Sequence, residues 1–331
     1  QPFLNPIGQP VYADGGPRYG DQSVRVWSIK DGSTQAILKG HTNQLTSAHF
    51  SPDGKHIVSS SHDRTAKIWD LKTQKIIHTL NGHEASVLST IFSPDGRSVI
   101  TTSAGSDNQF MIQENQTTEW TMSVISRSRH EKWIARIWDV ATGEEKTRLK
   151  NRSRQGGLLS FESGKSRAEV AFSSDGRLLV SASADPKNTC IWNARSGRLK
   201  HELQGHRHDV LSAVFSPDGQ MVVTASADHT ARLWDVLSGN ELAVLSAHDG
   251  PVLSAAFSPN GKRVITTSAD KNARVWDVEK GAGLVTLQGH SDKIYSAAFS
   301  PDGLRVATVS KDHTVRIWNA ATLDQLSITL R

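Results

Sequence analysis

Short apolar runs alternate with polar turn clusters along almost the whole chain. Between Gly205 and Ser246 the runs are Val210–Phe215, Met221–Ala225, Ala231–Trp234 and Glu241–Leu245, rich in Val, Leu, Ala and Thr. Between them stand Ser-Pro-Asp-Gly at 216–219, Ser-Ala-Asp-His-Thr at 226–230 and a turn around Leu237–Gly239. Such short runs bounded by such clusters predict strands joined by tight turns. They are too short for helices, and no 3.6-residue apolar rhythm runs through them. Each stretch therefore predicts four short antiparallel strands. A single sheet of this kind cannot bury both faces, so it must stack on a neighbour.

The neighbour is another copy of the same stretch. The tryptophans that close the repeated pattern are Trp27, Trp69, Trp138, Trp192, Trp234, Trp276 and Trp318, separated by 42, 69, 54, 42, 42 and 42 residues. The period is 42, and the two long intervals exceed it by 27 and 12. A ring of stacked four-stranded sheets is a β-propeller. The expected fold is all-β: one seven-bladed β-propeller of four-stranded antiparallel blades, with the first blade incomplete. The blades are expected at about 1–39, 40–81, 82–150, 151–204, 205–246, 247–288 and 289–331. Blade 3 carries a hairpin insertion at 105–133 and blade 4 a loop insertion at 150–167. Phe3–Gly8 reads as a degraded turn after a first strand, so the stretch is expected to begin inside blade 1, as a fragment of a larger protein.

The Gly-His, Ser-Pro-Asp-Gly, Ser-x-Asp and closing Trp-Asp of this period resemble WD-repeat proteins over nearly the whole chain. In that family the histidine, a strand-b serine, a turn aspartate and the strand-c tryptophan form a hydrogen-bonded chain. The resemblance assigns these roles to His41, Ser61, Asp63 and Trp69; to His206, Ser226, Asp228 and Trp234; to His248, Ser268, Asp270 and Trp276; and to His290, Ser310, Asp312 and Trp318. A serine, histidine and aspartate together also suggest a hydrolase. The set recurs four times, whereas catalytic machinery is normally unique, so these residues read as structural staples. The near-identical repeats further resemble those of bacterial multidomain signalling proteins, in which such rings follow an effector domain.

Composition narrows the function only a little. The chain has 331 residues, 37% of them hydrophobic, and a formal charge of +5. Mean hydropathy is −0.41. No apolar run approaches the twenty residues that span a bilayer, and no membrane partner is expected. The one cysteine, Cys190, excludes an internal disulfide and fits a reducing compartment; the expected location is cytoplasmic. No cofactor and no metal are expected. His206-x-His208 lacks a third ligand at a repeated spacing, and Ser163-Gly164-Lys165-Ser166 lacks the glycine that a phosphate-binding loop requires at Leu159.

The positions where the period fails carry more functional information. In the family's strand order, b–c turns and d–a loops emerge on one face, so both insertions fall there. They are basic: Arg127, Arg129, Lys132 and Arg136 accompany only Glu131, and Lys146, Arg148, Lys150, Arg152, Arg154, Lys165 and Arg167 accompany only Glu162. Localised charge of this kind points to an acidic or phosphorylated partner. Trp120 and Trp133 are candidate aromatic anchors, or pack the hairpin onto blade 3. A milder candidate surface rings the central opening: Asn43, His62, His208, Asp249, Asp292 and Lys311, with Ala227 and Ala269 at two equivalent positions. The expected function is a non-catalytic scaffold or sensor that binds a protein or peptide on this face. The alternatives are nucleic-acid binding through the basic insertions and a purely structural ring within a larger enzyme-containing signalling protein.

Overall fold

A computed structural model describes residues 3–4, 10–11, 22–28, 30–103, 133–150, 170–182, 189–320 and 325–330. Among these residues there are six four-stranded sheets, two two-stranded sheets and no helix. The chain divides into two compact units, Gln1–Lys165 and Ser166–Arg331.

The first unit holds a short hairpin of Phe3–Leu4 with Pro10–Val11 and three larger sheets. The first of these pairs Ser23–Trp27 with Thr34–Lys39 and has two strands. The second runs in order Leu45–Phe50, His56–Ser61, Ala66–Asp70, Lys75–Leu80. The third runs Val87–Phe92, Ser98–Ser103, Trp133–Asp139, Glu145–Lys150. The second unit holds four sheets, each with its strands a to d in chain order. The fourth sheet is Val170–Phe172, Leu178–Ser181, Cys190–Asn193 and Leu199–Glu202. The fifth is Val210–Phe215, Met221–Ser226, Thr230–Asp235 and Glu241–Ser246. The sixth is Val252–Phe257, Arg263–Ser268, Ala273–Asp277 and Ala282–Leu287. The seventh is Ile294–Phe299, Arg305–Ser310, Val315–Asn319 and Gln325–Leu330.

Strand alternation gives each sheet two faces, and the apolar clusters show how neighbours use them. Val223, Ala225, Leu233 and Leu245 of the fifth sheet pack against Val252, Ala255, Val264 and Trp276 of the sixth. Ile265, Val275 and Leu287 of the sixth then pack against Ile294, Val306 and Trp318 of the seventh. The same arrangement joins the fourth sheet to the fifth through Trp234, the second to the third through Trp138, and the first to the second through Trp69. Trp69, Trp138, Trp234, Trp276 and Trp318 thus each seal their own sheet onto the preceding one. A fully buried aromatic contributes roughly 3 kcal/mol, so these residues dominate the seams. Six of the seven are only 1% to 4% exposed, whereas Trp27 is 55% exposed.

The Ser-Pro-Asp-Gly stretch is the turn between strands a and b. In the fifth sheet the Ser216 hydroxyl donates to Asp218 Oδ1 at 2.5 Å and accepts the Met221 N–H at 2.9 Å. Asp218 Oδ1 also accepts the Gln220 N–H at 3.0 Å, and Gly219 adopts φ +71°. Side chains therefore satisfy the turn's backbone donors, which is why this polar tetrapeptide recurs, with Asn260 in the aspartate's place in the sixth sheet.

Two parts of the expected insertions can be placed. Trp133 and Arg136 belong to strand c of the third sheet, and Lys146, Arg148 and Lys150 to its strand d. Arg136 is buried: it donates to Glu145 Oε2 at 2.7 Å and to the Gly82 carbonyl. Arg148 pairs with the same Glu145, and Lys146 Nζ lies 2.8 Å from Asp139 Oδ2. These three basic residues are sheet residues paired with Glu145 and Asp139 and do not belong to a loop, which corrects their assignment to the insertions from sequence. The hairpin core at 105–132 and the loop at 151–167 lie outside the described residues, and with them Trp120, Arg127, Arg129, Lys132, Arg152, Arg154, Lys165 and Arg167.

Candidate interaction face

The polar residues of each period form two separate devices. In the fifth sheet, His206 Nδ1 lies 2.8 Å from Asp228 Oδ2 and His206 Nε2 lies 2.7 Å from Thr224 Oγ1. The indole of Trp234 donates to the same hydroxyl at 2.9 Å. Burial holds the His206 imidazole below its ordinary pKa, against the opposing pull of Asp228, so the ring is neutral near pH 7. A carboxylate only accepts, so Nδ1 carries the ring proton and Nε2 accepts. Thr224 must then give its hydrogen to Nε2 while receiving the indole N–H. The result is one directed chain, Trp234 to Thr224 to His206 to Asp228, with each donor used once.

The same chain recurs as Trp69, Ser59, His41 and Asp63 in the second sheet. It recurs as Trp276, Thr266, His248 and Asp270 in the sixth and as Trp318, Thr308, His290 and Asp312 in the seventh. Burial opposes ionisation of Asp63, but bonds from Thr65, His41 and the Thr42 and Thr65 N–H groups outweigh it and hold its pKa at about 2. In the third sheet, Thr101 links His83 to Trp138. There burial, with Arg136 and Arg148 nearby, lowers His83 to about 3. In the fourth, Ser181 accepts from Trp192 at 3.0 Å; Ser183 and Asp185, which stand at the spacing of the other sets, lie outside the described residues.

The serines assigned from spacing do something else. Ser226 lies two residues beyond Thr224 on the same strand face, and its hydroxyl donates to the His208 carbonyl at 3.0 Å while accepting the Asp228 N–H at 3.1 Å. Ser61, Ser268 and Ser310 make the equivalent bonds to Asn43, Gly250 and Asp292. These serines therefore tie the b–c turn to the d–a loop of the same sheet, and the link between ring and indole is the hydroxyl two residues earlier. A backbone bond doubles each tie: His62 to Gln44, Ala227 to Asp209, Ala269 to Pro251 and Lys311 to Lys293, all at 2.9 Å. The missed residues had a sequence signal, since a Ser or Thr stands 18 residues after each of these histidines and ten before the tryptophan.

These ties fix a loop surface on each sheet. His208, Asp249 and Lys311 are exposed there, and Asn43, His62 and Asp292 are partly so. The second sheet contributes Asn43 and His62, the fifth His208 and the sixth Asp249. The structure brings Asp292 and Lys311 of the seventh together, with Lys311 Nζ 3.7 Å from Asp292 Oδ2. A residue overlooked from sequence follows each turn aspartate: Arg64, His229, Lys271 and His313 are all exposed and all left-handed, at φ +69°, +71°, +73° and +65°. That conformation is unfavourable for a residue with a Cβ by roughly 1 kcal/mol, and it turns a basic side chain outward at the same place in four sheets.

Comparison with known proteins agrees with this architecture. Residues 32–70, 74–112, 197–235, 239–277 and 281–319 match the WD40 family model, described as WD domain, G-beta repeat. The matched unit 197–235 covers strand d of the fourth sheet and strands a to c of the fifth, so each sequence repeat bridges two sheets. Transducin beta-like protein 3 of Bos taurus is 26% identical over 217 residues, covering 62% of this chain and 23% of that protein. Angio-associated migratory cell protein of Homo sapiens is 27% identical over 218 residues, covering 65% of this chain and 44% of that protein. A chromatin assembly factor 1 subunit FAS2 homolog of Oryza sativa subsp. japonica is 41% identical over 66 residues, 20% of this chain and 13% of that protein. The chain thus spans less than half the length of each of these relatives. Their names carry no enzymatic activity, and they lend no support to the resemblance to bacterial signalling proteins.

Proposed function

The chain belongs to the WD40 family, WD domain, G-beta repeat, and from this premise we propose that it is a non-catalytic protein-interaction scaffold whose binding surface is the face bearing the d–a loops and b–c turns. The observation that carries the reading is the doubled tie between loop and turn, repeated in the second, fifth, sixth and seventh sheets. Rigid presentation lowers the ordering cost of binding. The histidine, hydroxyl and aspartate that would suggest hydrolysis are instead spent on sealing tryptophans, with Thr224 and its counterparts fully buried. We further propose that the sheets close into a seven-bladed ring that forms part of a longer protein. The name of one relative, a chromatin assembly factor 1 subunit, fits a role within assemblies.

Site-specific photocrosslinking tests the reading. A benzophenone amino acid at His208 or Asp249 should capture a protein partner that the same group at Ile77 or Leu242, both exposed on outer strands, does not. Equal capture from the outer strands would remove the face from consideration.

A further inference from the structure

The a–b turns share one plan, and the turn of the sixth sheet departs from it by one residue. Ser51, Ser93, Ser173, Ser216 and Ser300 donate to the carboxylates of Asp53, Asp95, Asp175, Asp218 and Asp302, at 2.5 to 2.6 Å in the first four. Each carboxylate also accepts the N–H two residues further on. The serine bond first, and the backbone bond with it, hold all five carboxyls below their ordinary range. In the sixth sheet the turn reads Ser258-Pro259-Asn260-Gly261. Asn260 Oδ1 takes the same two donors, the Ser258 hydroxyl at 2.8 Å and the Lys262 N–H at 3.1 Å. The hydroxyl stands closer to Oδ1 than to the Arg263 carbonyl, which is 3.2 Å away. The serine bond is longer here, as expected where a neutral amide replaces a carboxylate. Asn260 is exposed, and Gly261, at φ +70°, has no side chain to shield its nitrogen. The Gly261 N–H donates to the Ser258 carbonyl at 2.8 Å.

We propose that Asn260 is a self-modification site, at which the turn converts the asparagine into the aspartate that the other five turns carry. The bond from Gly261 to Ser258 opens, and the Gly261 nitrogen gives its proton to solvent and attacks Asn260 Cγ. The new C–N bond closes a five-membered succinimide, and Nδ2 leaves as ammonia. Water then opens the ring. Attack at Cγ breaks the new C–N bond and leaves aspartate; attack at the Asn260 backbone carbonyl leaves isoaspartate, with the chain rerouted through the side chain. The Ser258 hydroxyl and the Lys262 N–H stand on Oδ1, where an oxyanion forms when either the Gly261 nitrogen or water adds to Cγ. Donors so placed stabilise that charge and steer water to Cγ, hence to aspartate. The chain has one other Asn-Gly pair, Asn81-Gly82. Asn81 Nδ2 donates to the Thr79 carbonyl at 3.3 Å, and among the described residues no donor faces its Oδ1. It is a built-in control that lacks the steering donors. These a–b turns lie at the end of each sheet opposite to the d–a loops and b–c turns, so the conversion does not depend on where a partner binds.

The test is incubation of the full chain in mildly alkaline buffer, folded and, in parallel, unfolded in urea. Peptide mapping by mass spectrometry, with a protease that cuts at aspartate and not at isoaspartate, then reads both products. In the folded chain, position 260 should convert with aspartate in severalfold excess. In the unfolded chain it should convert faster, because no turn bond holds the Gly261 nitrogen, and should give mainly isoaspartate. Position 81 should give mainly isoaspartate in both states. S258A deletes one donor to Oδ1 and should cut the aspartate excess at 260 severalfold, whereas S258T keeps the hydroxyl and should preserve it. N260D should raise the urea midpoint at neutral pH, and the gain should vanish in acid, where the carboxyl is protonated. Four results would each overturn the proposal: no conversion at 260 in the folded chain while the unfolded chain converts fully, isoaspartate in excess at 260 in the folded chain, an unchanged aspartate excess in S258A, or an N260D midpoint at or below that of the wild type.

Discussion

At the scale of single residues, the instructive pair is Thr224 and Ser226. They are two apart on one strand, so they share a face, and spacing alone does not tell which hydroxyl meets the histidine. The side-chain geometry separates them. Thr224 is buried and serves two partners, whereas Ser226 ties a turn to a loop. Thr224→Val should leave the indole N–H and the imidazole Nε2 unpaired in the core and cost about 2–3 kcal/mol. Ser226→Ala leaves the turn and loop joined by the Ala227–Asp209 backbone bond and should cost about 1 kcal/mol. Urea unfolding midpoints measure both, and an equal loss would contradict the division of roles. Acid should act through the same chain in two stages. His41, His206 and His248 are held below the ordinary imidazole pKa, so below about pH 6.5 the unfolded chain binds protons that the folded chain refuses. Stability is therefore complete above that pH and declines as the pH falls through it. The stability contributed by Asp63, whose folded pKa is about 2, is present above its unfolded value and is lost as the pH falls from about 4 towards 2. Unfolding free energy followed from pH 8 to pH 2 should show both declines.

At the scale of elements, the turns between strands c and d join adjacent sheets as well as adjacent strands. Gly239, at φ +76°, lies so close to His201 of the fourth sheet that an added Cβ would sit 2.7 Å from the ring. His201 Nε2 in turn lies 2.9 Å from the Leu237 carbonyl of the same turn. Gly143 and His78 repeat the contact between the third and second sheets. Gly239→Ala combines a strained backbone with a clash and should destabilise the chain by about 2 kcal/mol. Removing the ring as well, in a Gly239→Ala and His201→Ala pair, should recover the clash component, so the double variant should be less destabilised than the two single effects added together. Strict additivity would show that backbone conformation alone requires the glycine. The sequence signalled this glycine as a turn residue, but not as a contact between sheets, because the histidine that requires it lies 38 residues earlier, in another period.

At the scale of the whole chain, periodicity carried most of the architecture. A recurring tryptophan, a polar tetrapeptide turn and short alternating runs specify strands and their order, and the six four-stranded sheets follow that order. The site was less legible for two physical reasons. Charge counted along the chain does not distinguish Arg136, buried against Glu145, from an arginine in a loop. Nor does it show that Lys311 Nζ stands 3.7 Å from Asp292 Oδ2, in a different loop of the same sheet. Repetition also has an energetic consequence. Each seam is a tryptophan packed onto the preceding sheet, so coupling passes from neighbour to neighbour, as in other stacked repeats. A chain that ends in open seams should lose its sheets from the ends inward, whereas the closed ring proposed above has no terminal seam and should unfold as one unit. Phenylalanine in place of Trp69 or of Trp276 removes one fluorophore from each compact unit. The fluorescence lost between wild type and each variant isolates that seam's own transition. Coincident urea midpoints for the two seams, within each variant's shift in stability, are the outcome expected of the ring. A seam in Gln1–Lys165 that melts well before the one in Ser166–Arg331 would mean that the units are energetically separate and that the ring does not close.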